Sequence, residues 1–384
     1  MCKPRNRKKK SPRKYKRKSS KSISVLFAAA AAIPGLSVPD SASAQSVSEQ
    51  SQLRFQYSYY EDRQGGDDRI SVRAPQAWFL TPVGESTELE GSFVLDSISG
   101  ASSLYHDTLS GASGTGIEDE RAAGDVKVTQ YFEDFSVGVG ASYSKEDDYE
   151  SLGGSLEGRF WNEKKTTTYS VGVSGTSDDI TSSNNALLDE SSHTIGGMIG
   201  VTQVINKNSI IQSNLTCSFA DGYLSDPYKA ADNRPDSRDR YAWLTRYVLY
   251  VPELEGSFHA DYRYYRDSWG VQSHTFDTMW YQPLDEVWML RPHIRFYSQD
   301  KADFYSNTFP PTRISTYSAD QRLSGFGELT TGLKLSRDFG DDFSLSLGVD
   351  VVQQHGSWKL FSEGSPDIEN FSETIVSFGI LKKF

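Results

Sequence analysis

Apolar and polar residues alternate along most of this chain with a period of two. In the clearest stretch, five alternate residues from Phe135 to Tyr143 are apolar, and the four between them are serine or glycine. Successive side chains of a β-strand point to opposite sides, so this alternation predicts strands with one apolar face. No stretch from residue 53 onward shows a sustained helical period, and the fold class is therefore predicted to be all-β.

Sixteen segments of roughly 8 to 13 residues show this pattern. Each has about the length that a tilted strand needs to cross a lipid bilayer. The segments are 53–60, 69–80, 87–99, 120–132, 135–145, 151–161, 166–177, 193–205, 209–221, 239–250, 254–266, 270–281, 287–299, 325–337, 342–354 and 372–384.

The connections between the segments alternate in length. The short ones are 81–86, 133–134, 162–165, 206–208, 251–253, 282–286 and 338–341. The other set includes long connections at 100–119, 178–192, 222–238, 300–324 and 355–371, and shorter ones at 61–68, 146–150 and 267–269. Short turns at one end and longer loops at the other are typical of bacterial outer-membrane barrels. We therefore predict a transmembrane antiparallel up-and-down β-barrel of about 16 strands over residues 45–384.

Aromatic residues near the segment ends support this prediction, because outer-membrane barrels carry aromatic girdles at both lipid interfaces. They include Tyr57, Tyr59, Trp78, Phe132, Phe135, Phe160, Trp161, Trp243, Trp280, Trp288 and Phe343. A soluble β-sandwich or propeller is the alternative. A sandwich needs an apolar interior, whereas the face opposite the aromatics is serine, threonine, glycine and charge, and no repeat of constant length suggests propeller blades.

The last strand ends in a terminal aromatic residue. Phe378, Ile380 and Phe384 share its apolar face, and this ending looks like the signal read by the outer-membrane barrel assembly machinery. Lys382 interrupts that face and is expected to extend its charge to the membrane interface.

Composition separates the first 44 residues from the rest. They hold 12 of the 40 Lys and Arg and one of the 51 Asp and Glu, a net charge of +11, which leaves 28 basic and 50 acidic residues and a net charge of -22. The basic region precedes an apolar run at 23–33 and the small residues Ala42-Ser43-Ala44, a pattern that predicts a signal peptide over 1–44, cleaved before Gln45. A basic arm that binds nucleic acid is the alternative, but the acidic remainder repels phosphate, so no nucleic-acid partner is expected.

Two sequence motifs resemble an uncharacterised bacterial outer-membrane β-barrel family, DUF3570. They are DSISGASSLYHD at 96–107 and DERAAGDVKVTQYF at 119–132, together with the strand that ends in phenylalanine. The resemblance covers essentially the whole chain after the leader. It implies the fold and the outer-membrane location, and it brings no catalytic residues.

If the apolar face meets lipid, the inward residues follow from parity. One predicted wall is mainly acidic and the other mainly basic, which would set up a transverse field across an aqueous pore. The alternative is that these charges pair with one another and only fill the lumen. The candidates are Glu88, Glu90, Asp96, Asp125 and Glu157, with Lys127 and Arg159, on the first wall, and Arg240, Arg246, Arg263, Arg291 and Arg295, with Glu255, His259, Asp261 and His293, on the second.

Enzyme and metal sites are weaker hypotheses. Ser102, Ser103, His106 and Asp107 share one Ser/Gly-rich loop, but no Gly-x-Ser-x-Gly elbow is present, so an enzyme is not expected. No zinc or calcium spacing occurs, and no metal or cofactor is expected. Acidic clusters are assigned to external loops, where they are expected to form a solvated acidic rim; the alternative is that divalent cations bridge this rim to lipopolysaccharide. They are Glu61-Asp62 with Asp67-Asp68, Glu146-Asp147-Asp148 with Glu150, and Asp178-Asp179.

The leading functional hypothesis is a pore for small polar or charged solutes in the bacterial outer membrane. The loops at 100–119 and 300–324 are the candidates to constrict it, and Phe309-Pro310-Pro311 would stiffen the second. The alternatives are a plugged barrel that binds a partner protein and, third, an outer-membrane lipid hydrolase. The expected partners are outer-membrane lipid and lipopolysaccharide, the assembly machinery, small solutes and a possible second copy of the chain.

Overall fold

The computed structural model describes residues 45–64, 67–101, 115–182, 185–228, 232–308, 316–366 and 368–384, with backbone alone at 67, 69, 96, 98–101 and 115–119. In these ranges the chain forms sixteen antiparallel strands that close into one barrel, as predicted. They are β1 Gln52–Gln64, β2 Asp67–Val83, β3 Thr87–Ala101, β4 Thr115–Tyr131, β5 Phe135–Lys145, β6 Tyr149–Trp161, β7 Thr167–Thr181, β8 Asp189–Asn206, β9 Ser209–Gly222, β10 Ser237–Val251, β11 Gly256–Asp267, β12 Gln272–Pro283, β13 Trp288–Gln299, β14 Phe326–Asp338, β15 Phe343–His355 and β16 Phe371–Lys383.

The barrel is closed by the pairing of β1 with β16. Each other strand pairs with its neighbours in sequence, and the closing seam runs from Gln52 opposite Lys383 to Gln64 opposite Phe371. A closed sheet leaves no strand with unpaired backbone groups, which a barrel in lipid requires. The other elements are three short 3-10 turns, and no helix among the described residues is long and apolar enough to cross a membrane.

The two ends of the barrel differ, as the sequence predicts. At one end, called here the turn end, the strands are joined by 84–86, 132–134, 162–166, 207–208, 252–255, 284–287 and 339–342. The opposite end, the loop end, carries the longer connections, including 223–236, 300–325 and 356–370. Both Gln52 and Lys383 lie at the turn end, because the first and last strands pair there.

Several strands continue beyond the predicted segments at the loop end. β8 has 18 residues and β7 has 15, whereas about 9 to 11 suffice to cross a bilayer. The assignment of acidic clusters to external loops is therefore partly wrong: Glu61-Asp62 lie in β1, Asp67-Asp68 begin β2, Glu150 lies in β6 and Asp178-Asp179 lie in β7. Glu146, Asp147 and Asp148 do form a loop.

The two faces of the sheet have the predicted parity. Large apolar side chains are exposed on the outside, with Leu152 63%, Ile195 68% and Leu215 54% accessible. At the turn end, Phe132, Phe135 and Phe160 stack on one another with centroids 4.4 and 6.0 Å apart, as in an interfacial girdle. The inner face carries charge, serine and glycine, so the polar side of the alternation faces the lumen.

Lys382 lies on the outer face at the turn end. Its ammonium group hydrogen-bonds to the carboxylate of Asp342 in the turn 339–342. That hydrogen bond lowers the pKa of Asp342, so the pair is charged at neutral pH.

Candidate functional site: the charged lumen and its two ends

The wall formed by β3, β4 and β6 carries paired charges. Lys127 lies 3.0 Å from Glu90 and 3.9 Å from Glu157, and Arg159 contacts Glu157 at 2.5 Å. The indole of Trp78 also donates to Glu90 at 3.0 Å. These predicted residues therefore meet in one network in which two cations partly neutralise the carboxylates.

Two other carboxylates of this wall are held by neutral donors. Glu88 accepts hydrogen bonds from the Tyr131 hydroxyl at 3.3 Å and from the backbone N–H of Ser48 at 3.0 Å. Asp125 accepts one from the hydroxyl of Ser92. The side chain of Asp96 lies outside the described residues. This wall keeps a negative excess, since Glu88 and Asp125 have no cation partner among the described side chains.

The wall formed by β10 to β14 carries cations with few partners. Arg246 forms an ion pair with Asp261 at 2.9 Å across β10 and β11. By contrast, Arg240, Arg263, Arg291 and Arg295 have no carboxylate within 4.0 Å among the described side chains. Successive side chains of a strand point to opposite faces, so the arginines of β10 and β13 lie on the face opposite the exposed side chains of Tyr241 and Ile294.

Three inward carboxylates, Asp277, Glu328 and Asp350, were not among the predicted lumen residues. His293 contacts Asp277 through Nε2 at 3.1 Å and Asp350 through Nδ1 at 3.2 Å. Glu328 lies opposite Tyr297 on β14. The parity of β12, β14 and β15 would have placed all three inside, so the signal was present in the sequence.

The loop end is crossed by two connections that bind each other, 223–236 and 300–325, which together we call the lid. Backbone hydrogen bonds of 2.8 Å join Asn233 and Tyr317 in both directions. Arg234 lies 2.9 Å from Asp320, and Arg322 lies 3.2 Å from Asp226. An apolar cluster supports the lid, with members Trp269, Val271, Ala302, Tyr305 and Leu323.

The lid is attached to strands on both sides of the barrel. Gln64 at the end of β1 donates to Gln321 at 3.1 Å, and the Tyr228 hydroxyl hydrogen-bonds to Asp148 between β5 and β6. Burial raises the pKa of Asp148 above its usual range. Because β1 and β6 are far apart around the barrel, the lid spans part of the opening at the loop end. The loop 300–324 is one of the predicted candidates to constrict the pore, whereas 223–236 is not. Residues 102–114 of the other candidate loop, and Phe309-Pro310-Pro311, lie outside the described residues.

The segment before β1 passes under the turn end. Gln45 donates to the Thr168 hydroxyl of β7 at 2.8 Å and to the Lys165 carbonyl at 3.3 Å. Together with the Ser48 contact to Glu88, this places residues 45–48 between β1 and β7. They line a cavity of about 650 Å³ beneath three of the short turns.

A metal site and a hydrolase site are the alternatives to a pore. No group of three or more His, Cys, Asp or Glu in the described part of the chain is placed to hold a metal ion. The hydrolase candidates Ser102, Ser103, His106 and Asp107 all lie outside the described residues.

Fold and lumen together define a sixteen-stranded barrel of the outer-membrane class with a polar, charged interior. The chain belongs to the family described as protein of unknown function (DUF3570), whose model matches residues 23–115, 106–193 and 181–375. The resemblance read from the sequence is thus confirmed. A comparison with curated proteins finds no match.

Solved structures share the fold at low sequence identity. A bacterial polysaccharide outer membrane secretin matches with a TM-score of 0.51 and 8% identity, over 89% of this chain and 100% of that one. CdiB from Acinetobacter baumannii matches with a TM-score of 0.50 and 8% identity, over 86% of this chain and 60% of its own. The fold is therefore that of bacterial outer-membrane barrels.

Proposed function

We propose that this protein is a bacterial outer-membrane pore for small polar or charged solutes, exported by the signal peptide predicted over 1–44. The observation that carries the proposal is the uneven charge of the inner face. In the described part of the chain, arginines without carboxylate partners lie on β10, β11 and β13, while Glu88 and Asp125 lack cation partners on the other wall. Charges left unpaired in a lumen attract ions and orient dipolar solutes, whereas paired charges largely cancel.

A pore of this kind predicts a charge-dependent ion preference. We expect the Arg263→Gln/Arg295→Gln variant, reconstituted in a planar bilayer, to shift its reversal potential in a KCl gradient toward cation preference. An ion about 7 Å from one such charge in water gains about 0.6 kcal/mol, so each arginine changes the local ion ratio about threefold at low salt.

The matched control removes both members of an ion pair. Arg246→Gln/Asp261→Asn keeps the net charge of the lumen, and its reversal potential should stay at the wild-type value. A barrel with a normal β-sheet circular dichroism spectrum and no conductance steps would overturn the proposal.

A plugged barrel that binds a partner is the second candidate. The contacts of the lid at the loop end and of residues 45–48 at the turn end favour it, because both reduce the free opening. The same recording separates the two candidates: a plugged barrel gives no steps until the lid is detached.

A further inference from the structure

Two cations lie opposite each other on the inner face near the turn end, and a third adds positive charge to the same region. Arg291 of β13 is directly opposite Lys334 of β14 in the backbone register. Lys334 lies within the electrostatic reach of Arg54 of β1 as well as of Arg291. Like charges placed opposite each other on neighbouring strands repel, so this arrangement works against the stability of the empty barrel.

Among the described side chains, no carboxylate forms an ion pair with any of the three cations, although Asp350 lies within electrostatic reach of Lys334. None of these cations has a carboxylate within 4.0 Å among the described side chains. The inward carboxylate nearest in register, Asp350, is already bound to His293 at 3.2 Å. Arg291 donates through Nη1 to the Tyr281 hydroxyl at 3.2 Å, but its buried Nε has no acceptor among the described residues.

An anion held between Arg291 and Lys334 would accept hydrogen bonds from both groups. A guanidinium offers a planar fork of donors that matches a carboxylate or phosphate, and an ammonium adds a strong point charge. Arg54 also lies over the ring of Trp78, 5.2 Å from its centroid, which limits the positions of its side chain. A buried donor without an acceptor is costly, and a bound oxyanion removes that cost.

We propose that Arg291 and Lys334 form a binding site for a small oxyanion, a phosphate or a carboxylate, inside the lumen, and that Arg54 adds positive charge to the same region. The proposal builds on the proposed pore function, since it names the class of solute that the pore holds near its turn end. It differs from a general attraction of anions because it requires particular donors at one position.

The site can be tested on the refolded full-length barrel in neutral detergent by equilibrium dialysis with radiolabelled inorganic phosphate. We expect saturable binding of one phosphate per barrel. Arg291→Gln and Lys334→Gln should each weaken it about tenfold, the loss expected for one charge-assisted hydrogen bond. Competition with succinate distinguishes the two sources, because displacement shows that carboxylates share the site and no displacement restricts it to phosphate.

Arg337→Gln is the matched control. Arg337 lies three residues after Lys334 on the same strand, but on the outer face over Trp288, so its loss should leave phosphate binding unchanged. Lys334→Arg should retain binding, which guards against misfolding as the cause of any loss. Absence of saturable binding by the wild type, or an equal loss in Arg337→Gln, overturns the proposal. A barrel that binds phosphate without conducting refutes only the pore, and one that conducts without binding refutes only the site.

Discussion

Gly332 is the residue that allows His293 to reach two carboxylates. It lies between His293 and Asp350 in the register of β13, β14 and β15, and a Cβ at this position would overlap the Asp350 carboxylate. A glycine in mid-strand weakens the sheet by about 0.5–1 kcal/mol relative to alanine. Here the open space permits a hydrogen bond across an intervening strand.

Replacement of this glycine should break that bond. We expect Gly332→Ala to lower the free energy of unfolding by about 1 kcal/mol, the net value of one half-buried hydrogen bond, measured by urea unfolding in detergent. Gly154→Ala is the control, because a Cβ there meets only the Gly140 carbonyl at 3.8 Å. Equal stabilities for the two variants would show that the bond to Asp350 contributes nothing.

The sequence predicts which side chains share a face of the sheet, but it does not predict which charged residues form pairs. The alternation with a period of two predicts which side chains share a face, because successive residues of a strand point to opposite sides. Which charges pair was not readable, since partners such as Lys127 and Glu157 lie on strands that are not adjacent. The distance between side chains on such strands depends on the curvature of the barrel and not on the local sequence pattern.

Among the elements, the lid depends on one buried carboxylate. Asp320 accepts from the backbone N–H and Nε of Arg322, each at 3.0 Å, and from Arg234 at 2.9 Å. Burial opposes the charge of Arg322, but Asp320 outweighs it and raises the pKa of the guanidinium. Asp320 thereby joins the connections 223–236 and 300–325, which are separated by four strands in the sequence.

Asp320→Ala should detach the lid while the barrel stays folded. Removal of one partner from a buried ion pair costs about 3–5 kcal/mol, and here that cost falls on a local opening. We expect trypsin to cut within 223–236 and 300–325 at least about tenfold faster, with the strands still protected. Asp68→Ala is the control: Asp68 pairs with Arg63 at 2.7 Å, their side chains are 71% and 58% exposed, and such surface pairs contribute little. Similar cleavage rates in both variants would contradict a central role for Asp320.

The strands were predictable and the lid was not, for a physical reason. Alternation over 135–143 reports a local preference for a strand with one apolar face, so the strands follow from neighbouring residues. The contact of Gln64 with Gln321 joins residues 257 positions apart and has no local signature. Strand extensions beyond the lipid were missed for a related reason: there the apolar face ends while backbone pairing continues.

For the whole molecule, charge and hydropathy have separate roles. The net charge of -22 after residue 44 does not describe the lumen. There, arginines on one wall have no carboxylate partner among the side chains that the structure describes, and carboxylates on the other wall are held by neutral donors. The low mean hydropathy does not argue against a membrane protein either, since only the outward-facing residues of each strand, about every second one, meet lipid. Stability of the barrel and its delivery to a membrane can therefore depend on different residues.

The C-terminal residue offers a test of that separation. Phe384 is 70% exposed on the outer face, and its backbone N–H donates to Ser51 at 3.0 Å just beyond the closing seam. We expect deletion of Phe384 to change the free energy of unfolding of the refolded barrel by no more than about 1.5 kcal/mol, the value of one hydrogen bond. If the terminal strand is the signal for the assembly machinery, the amount of folded barrel in bacterial outer membranes should fall several-fold.

Phe378→Ala, within the seam opposite Tyr57, should instead lower stability in vitro as well. A deletion that destabilises the refolded barrel as much as Phe378→Ala would assign Phe384 to the fold, and an unchanged yield in cells would remove it from assembly.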